Sequence, residues 1–322
     1  MIIYAEMAGF DQTGEDRSER RTRSRIWKGS SVQGSYGTVN ITVLTPPLRS
    51  CAYQCTYCPH GPTEGSLQAP ISYFINEPAV ARAARVNYNI IEQIRTRIRD
   101  LCRSGVIVRE RCNGMQGKEV KWKTMCKADI RLAGGTFHSY PESEQAEFIR
   151  RVYYAVRTID YSDEDMPPMM SLEQEIEDHI SQKDLGVLIV GLSIETRPDH
   201  ITLDTIRIMN SWFLTWVEIG VQSTHDSVLR AVKRGHTNDA SQRAMGLLKG
   251  HMGCKVLGHI MPDLPGSSPE MDLDVFRDEI VTGNLQYTIL VVGGSCLLFC
   301  IACARLSVAS CAAVIVVHAI WF

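Results

Sequence analysis

No charge of either sign dominates this 322-residue chain: 34 Lys and Arg stand against 36 Asp and Glu, a formal net charge of −2. The whole-chain balance therefore neither demands nor excludes a nucleic-acid partner. No secretory signal opens the chain, because residues 1–10 are short, apolar and acidic rather than basic and then apolar. The 11 cysteines are thus not read as a disulfide framework, which belongs to small secreted domains, but as reduced thiols and a metal site. No internal repeat of useful length is visible. With 44% hydrophobic and 22% charged residues, the composition is that of a soluble globular protein with one large domain and room for a small appendage.

What is present concentrates in one stretch. Cys51, Cys55 and Cys58 form C-x3-C-x2-C, with Tyr57 just before the third cysteine. Thiolates ligate soft metals, and three on one short loop can hold three irons of a [4Fe–4S] cluster while leaving the fourth open to a ligand. Zinc sites usually show two separated pairs, and no second C-x2-C follows Cys58 at zinc-ribbon distance. A zinc knuckle or three incidental thiols are the competing readings. This is the spacing of the radical S-adenosylmethionine (SAM) enzymes.

The surrounding pattern predicts an α/β fold, a partial (β/α) barrel. Residues 38–44 (TVNITVL) alternate and read as a strand, ended by Pro46 and Pro47. That order puts the cysteine loop at the C-terminal end of a first strand, the face where such barrels carry active sites. Residues 77–102 have helical periodicity, and residues 104–127 read as an exposed insertion. Cys102, Cys112 and Cys126, in or beside it, read as structural or surface thiols. A strand over 129–136 runs into Gly134-Gly135, where the backbone can approach a ligand with no Cβ in the way. A helix is expected over 142–159 and a loop over 161–168. Further strands over 187–194, 216–221 and 255–261 deliver Glu195, Gln222 and Asp263 at their ends. The chain divides into a basic polar arm (1–37), the barrel (38–284) and an apolar tail (285–322). The arm crowds Arg17, Arg20, Arg21, Arg23 and Arg25 together, either as a solvated segment or as a contact for a phosphate backbone.

Seven runs, in order, carry a resemblance: TYCPHGP (56–62), EPAVARAARVNYN (77–89), AGGTF (133–137), IETRPD (194–199), VEIGVQS (217–223), KRGHT (233–237) and HIMPDLP (259–265). Over roughly residues 38–280 the chain resembles the catalytic subunit of the Elongator complex. That family joins a radical SAM domain to an acetyltransferase domain and modifies tRNA wobble uridine at C5. The resemblance implies a [4Fe–4S] cluster on Cys51, Cys55 and Cys58, SAM as second cofactor and acetyl-CoA as co-substrate. It implies that Gly134, Gly135 and Thr136 receive the methionine amino group of SAM, and that Glu195 lies at the ribose or amino end. Gln222 and Arg234 match positions that contact ribose and carboxylate, and Asp263 matches a ribose or adenosine contact. His236 and His259 are read as structural. The implied partners are tRNA and Elongator-type proteins, and the implied location is cytoplasmic.

Two features depart from the family. The cysteine spacing is more compact than in many Elongator subunits. After about residue 280 the resemblance stops, so the chain is expected to lack the last barrel strand and the acetyltransferase domain. Residues 285–304 and 306–322 are uncharged runs split by Arg305, each near bilayer-spanning length. They read either as a membrane anchor or as the end of a truncated or misspliced gene. Cys296, Cys300 and Cys303 repeat the C-x3-C-x2-C spacing there, without the following Pro/Gly loop, and are read as coincidence. A non-catalytic paralogue that binds tRNA or an Elongator partner, and a radical SAM enzyme acting on a small molecule, are the rival functions.

Overall fold

The computed structural model describes residues 38–47, 51–58, 69–70, 72–112, 121–181, 186–277, 287–292 and 315–319. The arm and its arginines, most of the residues beyond 277, and Cys296, Cys300 and Cys303 lie outside the described residues. Eight strands form one sheet: β1 (Thr38–Leu44), β2 (Val108–Cys112), β3 (Lys121–Ala133), β4 (Val187–Thr196), β5 (Trp216–Gln222), β6 (Lys255–Ile260), β7 (Tyr287–Val292) and β8 (Ile315–Ala319). The order is β1-β3-β4-β5-β6-β7-β8, parallel throughout, with β2 pairing antiparallel to the start of β3.

Side-chain alternation splits the sheet into two faces. Ile41 and Val43 of β1, Ile130 and Leu132 of β3, Leu192 and Ile194 of β4, Val217 and Ile219 of β5, and Val256 of β6 are buried in one apolar core. The helices are α1 (Pro78–Arg85), α2 (Ile90–Arg103), α3 (Glu142–Arg157), α4 (Leu172–Ser181), α5 (Leu203–Ser211), α6 (Asp226–Ala231), α7 (Asn238–Leu247) and α8 (Pro269–Phe276). Of these, α2, α3, α4, α5, α7 and α8 complete that core, while Val80 and Ala83 of α1 and Val228 of α6 sit in two smaller clusters. Ile90, Ile94 and Ile98 of α2 and Phe148, Ile149 and Val152 of α3 supply much of the packing. The intervening strand positions, Asp129, Arg131, Ser193, Glu195, Glu218 and His259, fall on the opposite face, which is polar.

Residues 77–102, whose periodicity allows one helix or two, form two. Pro78 starts α1 at a position where its missing N–H costs nothing. Asn87 and Tyr88 then take left-handed φ of 50° and 56°, and Asn89 restarts the helix, its Oδ1 accepting from the amides of Ile91 and Glu92. The expected strands all form. Strand β3 is far longer than the stretch over 129–136 because its first half lies in what reads as an insertion, where it pairs with β2. The helices α4, α5, α7 and α8 are additional to the sequence reading.

Residues 285–322 also differ from expectation. They contain β7 and β8, which continue the parallel sheet beyond β6, so a further strand follows where none was recognised. Among the described residues no helix is long and apolar enough to cross a membrane. A continuous apolar run is what a buried parallel strand and a spanning segment have in common.

Candidate active site at the C-terminal edge of the sheet

Because the sheet is parallel, β1, β3, β4, β5 and β6 deliver their following loops to one edge. The cysteine loop follows β1, Gly134-Gly135 follows β3, Arg197 follows β4, Ser223 follows β5 and Asp263 follows β6. At the centre, the Glu195 carboxylate accepts from the Gly134 and Gly135 amides, both at 3.1 Å, from Tyr73 Oη at 2.8 and 2.9 Å, and from Arg131 Nη2 at 2.6 Å. Burial pushes this carboxyl up, but Arg131, His259, the Gly135 amide and the Tyr73 hydroxyl outweigh it and hold the group at about 2. The turn requires glycine: φ is 137° at Gly134 and 100° at Gly135, and a Cβ on Gly134 would stand 2.2 Å from Thr45 Oγ1.

The cysteine loop is pinned from two sides. The Thr56 amide donates to the Val232 carbonyl at 3.1 Å, and Tyr57 packs against the cluster of Val228, Val232 and Leu264. On the other side, Tyr53 lies between Cys51 and Cys55 in sequence. Its hydroxyl reaches His200 Nε2 at 2.8 Å and Asp199 Oδ2 at 3.3 Å, and the Arg197 guanidinium lies over its ring. Arg197 is in turn bonded to both carboxylate oxygens of Asp199, at 2.9 and 3.0 Å. Cys51, Cys55 and Cys58 are free and half-buried. A hydrogen bond from Cys58 draws the Cys55 thiol down to about 5, burial opposes this, and Arg234 assists. The same pairing raises Cys58.

Arg234 ties the loop to the sheet. Its Nη1 approaches Cys55 Sγ at 3.7 Å, its Nη2 donates to the Gly220 carbonyl at 2.9 Å and its Nε donates to His236 Nε2 at 3.1 Å. His236 also lies 3.2 Å from the Gly220 carbonyl through the same Nε2. Gln222 is buried at the end of β5, with φ of 69° and a side-chain Oε1 that has no hydrogen-bond partner among the described residues. Thr136 starts a short 3-10 turn, its carbonyl accepting from the Ser139 amide at 2.9 Å. Asp263 stands apart: its amide donates to Asp272 at 2.8 Å and its side chain is exposed. The structure thus joins Gly134, Gly135 and Glu195 directly, joins Arg234 to Cys55, and links neither set to Asp263 by a hydrogen bond.

A second layer, absent from the sequence reading of the site, lies on the polar face below Glu195. Arg131 Nη2 is 2.6 Å from Glu218 Oε2 as well as from Glu195 Oε1. Glu218 also accepts from Ser193 Oγ at 3.4 Å and bonds His259 Nε2 at 2.9 Å. Tyr73, Arg131, Glu218, Arg197 and Tyr53 all went unrecognised. A signal for Arg131 and Glu218 exists: Asp129 and Arg131 in DIRLA, and Glu218 and Gln222 in WVEIGVQ, are an even number of residues apart inside otherwise apolar strands, which marks a polar interior face.

A parallel sheet with helices between its strands, a three-cysteine loop after its first strand and a double-glycine turn after the next parallel one define a radical SAM barrel. Residues 115–277 match the Radical SAM superfamily, and this chain belongs to it. Within that superfamily it is similar to Elongator complex protein 3 of Saccharomyces cerevisiae, 30% identical over 279 residues, covering 83% of this chain and 45% of that protein. The tRNA uridine(34) acetyltransferase of Methanocaldococcus infernus is 30% identical over 283 residues, covering 86% of this chain and 48% of that protein. Among solved structures, the archaeal Methanocaldococcus infernus Elp3 with an N-terminal deletion superposes with a TM-score of 0.54 at 26% identity, over 80% of this chain and 46% of that one. The chain spans about half the length of the curated relatives it matches. The Elongator resemblance carried by the seven motifs is therefore borne out at the level of homology.

Proposed function

We propose that this chain is the radical SAM part of an Elongator-type enzyme that modifies tRNA wobble uridine at C5. The observation that carries the reading is the convergence at one sheet edge of a three-thiol loop, a double-glycine turn and an ionised, buried Glu195. The thiols suit iron: all three are free, and the Arg234 guanidinium beside Cys55 offsets thiolate charge. In this reading Cys51, Cys55 and Cys58 hold a [4Fe–4S] cluster, which with SAM supplies a 5′-deoxyadenosyl radical.

The remaining groups bind and orient. The unpartnered Gln222 Oε1 and the Cβ-free edge at Gly134-Gly135 fit a polar ligand that completes the site. Glu195 accepts from the ammonium of the methionine moiety, and Thr136 lies on the same turn. Arg234, fixed by Gly220 and His236, faces the carboxylate and cysteine side, and Gln222 accepts from ribose. Asp263, exposed on the loop after β6, would accept from a ribose or adenosine hydroxyl, as the resemblance implies. The arm at 1–37, with its five arginines, contacts the tRNA backbone. The barrel begins at residue 38, and the acetyl group comes from acetyl-CoA bound by an acetyltransferase part outside the residues matched here. The relatives' names support tRNA and Elongator-type proteins as partners.

Anaerobic reconstitution, followed by iron analysis and a 5′-deoxyadenosine assay under reduction with and without tRNA, tests this. About four irons per chain and reductive SAM cleavage are expected. Iron-free protein, or a cluster that leaves SAM intact, would refute it.

A further inference from the structure

The Arg131 guanidinium holds two carboxylates at once, and neither is spare. Glu195 and Glu218 are register partners on adjacent strands, with side chains only 8% and 5% exposed. Two buried carboxylates side by side repel, and such a pair normally keeps one proton between them. Here Arg131 Nη2 lies 2.6 Å from an oxygen of each. The other groups facing Glu195 are few. Tyr73 and Glu77 approach from the segment entering α1, Glu218 from β5 and His259 from β6. Of these, Glu77 is itself raised by burial and by Glu195. Beyond the neutral Gly134, Gly135 and Tyr73 donors, Arg131 is the only permanent cation in direct contact with Glu195 among the described residues.

We propose that Arg131 is a positioning residue for the amino-acid end of the bound ligand: by bridging Glu195 and Glu218 it keeps the Glu195 carboxylate turned onto the Gly134-Gly135 edge. The inference rests on the reading of that edge as the SAM site and adds a residue that touches neither the ligand nor the cysteines. Its physical content is a division of labour across the carboxylate. Oε1 is held from below by Arg131, while Oε2 takes the glycine amides, so the ligand's ammonium meets an oriented anion. Without Arg131 the pair shares a proton, Glu195 is partly neutral, and its attraction for an ammonium falls as pH falls.

The test is SAM affinity of the anaerobically reconstituted protein between pH 5.5 and 7.0, a range chosen to keep the ligand ammonium charged, for wild type, R131M, E218Q and R131M/E218Q. The E218Q single variant controls for loss of the Glu218–His259 contact. Wild type should bind with little pH dependence. R131M should bind at least about 10-fold more weakly at pH 5.5, the size expected when a charge-assisted contact is lost, and recover as pH rises. R131M/E218Q should regain part of the affinity lost by R131M at low pH, because the repelling second charge is gone while burial still favours the protonated form. R131Q keeps a hydrogen-bonding side chain without charge and gives the same reading should R131M not fold. Wild-type affinity in R131M, tighter binding, or a loss equal at every pH and unrescued by E218Q would overturn the proposal. Failure of the wild-type protein to bind SAM would overturn the site assignment itself and the proposal with it.

Discussion

Arg197 lies flat over the ring of Tyr53, its guanidinium carbon 3.4 Å from the ring centroid. This contact joins the end of β4 to the middle of the cysteine loop. Arg197 is 1% exposed and Tyr53 is half-buried, so the cation–π contact lies between its exposed and desolvated limits, about 1 kcal/mol. With the Asp199 and His200 contacts to the Tyr53 hydroxyl, it forms a clamp on one side of the loop.

Breaking the clamp should loosen the loop. Arg197→Ala also leaves Asp199 without its bidentate partner, and removing one member of such a pair typically costs several kcal/mol, about 3–5 when fully buried. The expected outcome is a lower melting temperature and faster iron release to a chelator. Tyr53→Phe keeps the stack and loses only the hydroxyl contacts, so it should release iron more slowly than Arg197→Ala. Equal release rates in wild type and Arg197→Ala would show that the clamp does not hold the loop.

Replacing any one of Cys51, Cys55 or Cys58 by Ala should abolish the cluster's visible absorbance and reduce bound iron well below the about four per chain expected of the intact site. Cys102 and Cys126 are half-buried and close enough to interact, away from the cysteine loop in the chain. Ala at either should leave iron content unchanged. Iron analysis of the five variants decides the assignment.

At the glycine turn the two positions should differ in severity. A Cβ on Gly134 stands 2.2 Å from Thr45 Oγ1, whereas one on Gly135 stands 3.0 Å from Ser72 Oγ. Both also carry positive φ, which costs an L-residue roughly 1–3 kcal/mol where the backbone is held. Gly134→Ala should therefore lower the melting temperature more than Gly135→Ala, and both should weaken SAM binding. For comparison, Glu195→Ala removes a charged acceptor and should weaken SAM by roughly 1.5–3 kcal/mol, about 10- to 100-fold.

Stability should decline on mild acidification through a buried histidine. His138 stacks on His200 with centroids 6.0 Å apart and bonds Thr196 Oγ1 at 2.8 Å. Burial, with a smaller contribution from His200, lowers it to about 4 from an ordinary 6.5. Below 6.5 the unfolded chain takes up a proton that the folded chain refuses, so this contribution is complete above 6.5 and is lost as pH falls toward 4. Glu195 behaves differently: held at about 2, it stays charged across that range. The melting temperature should fall between pH 6.5 and 4.5, and His138→Gln should flatten the slope. An unchanged slope in that variant would remove His138 as its source.

Local pattern alone determined much of this molecule. The five strands β1, β3, β4, β5 and β6, the cysteine loop at the end of the first, and the residues carried at strand ends were legible because alternation, glycine and proline act within a few residues of chain. Cys51, Cys55 and Cys58, the thiols proposed to hold the cluster, were legible for the same reason, as neighbours in sequence. Apolar runs were not decisive: residues 287–292 and 315–319 lie within the two uncharged runs and form strands of the sheet, because parallel strands and spanning segments can both be built from runs without charge. What only the tertiary structure decided is which side chains meet across strands. Arg131 and Glu195 are 64 residues apart, and Tyr53 and His200 are 147 apart. Strand register sets the first contact and the shared sheet edge sets the second, and neither is encoded in any window of sequence. The same physics explains Asp263, whose place in a strand-end motif resembles that of Gln222, yet whose side chain faces solvent. Position along the chain brought it to the right edge, and packing of the loop after β6 determined where it points.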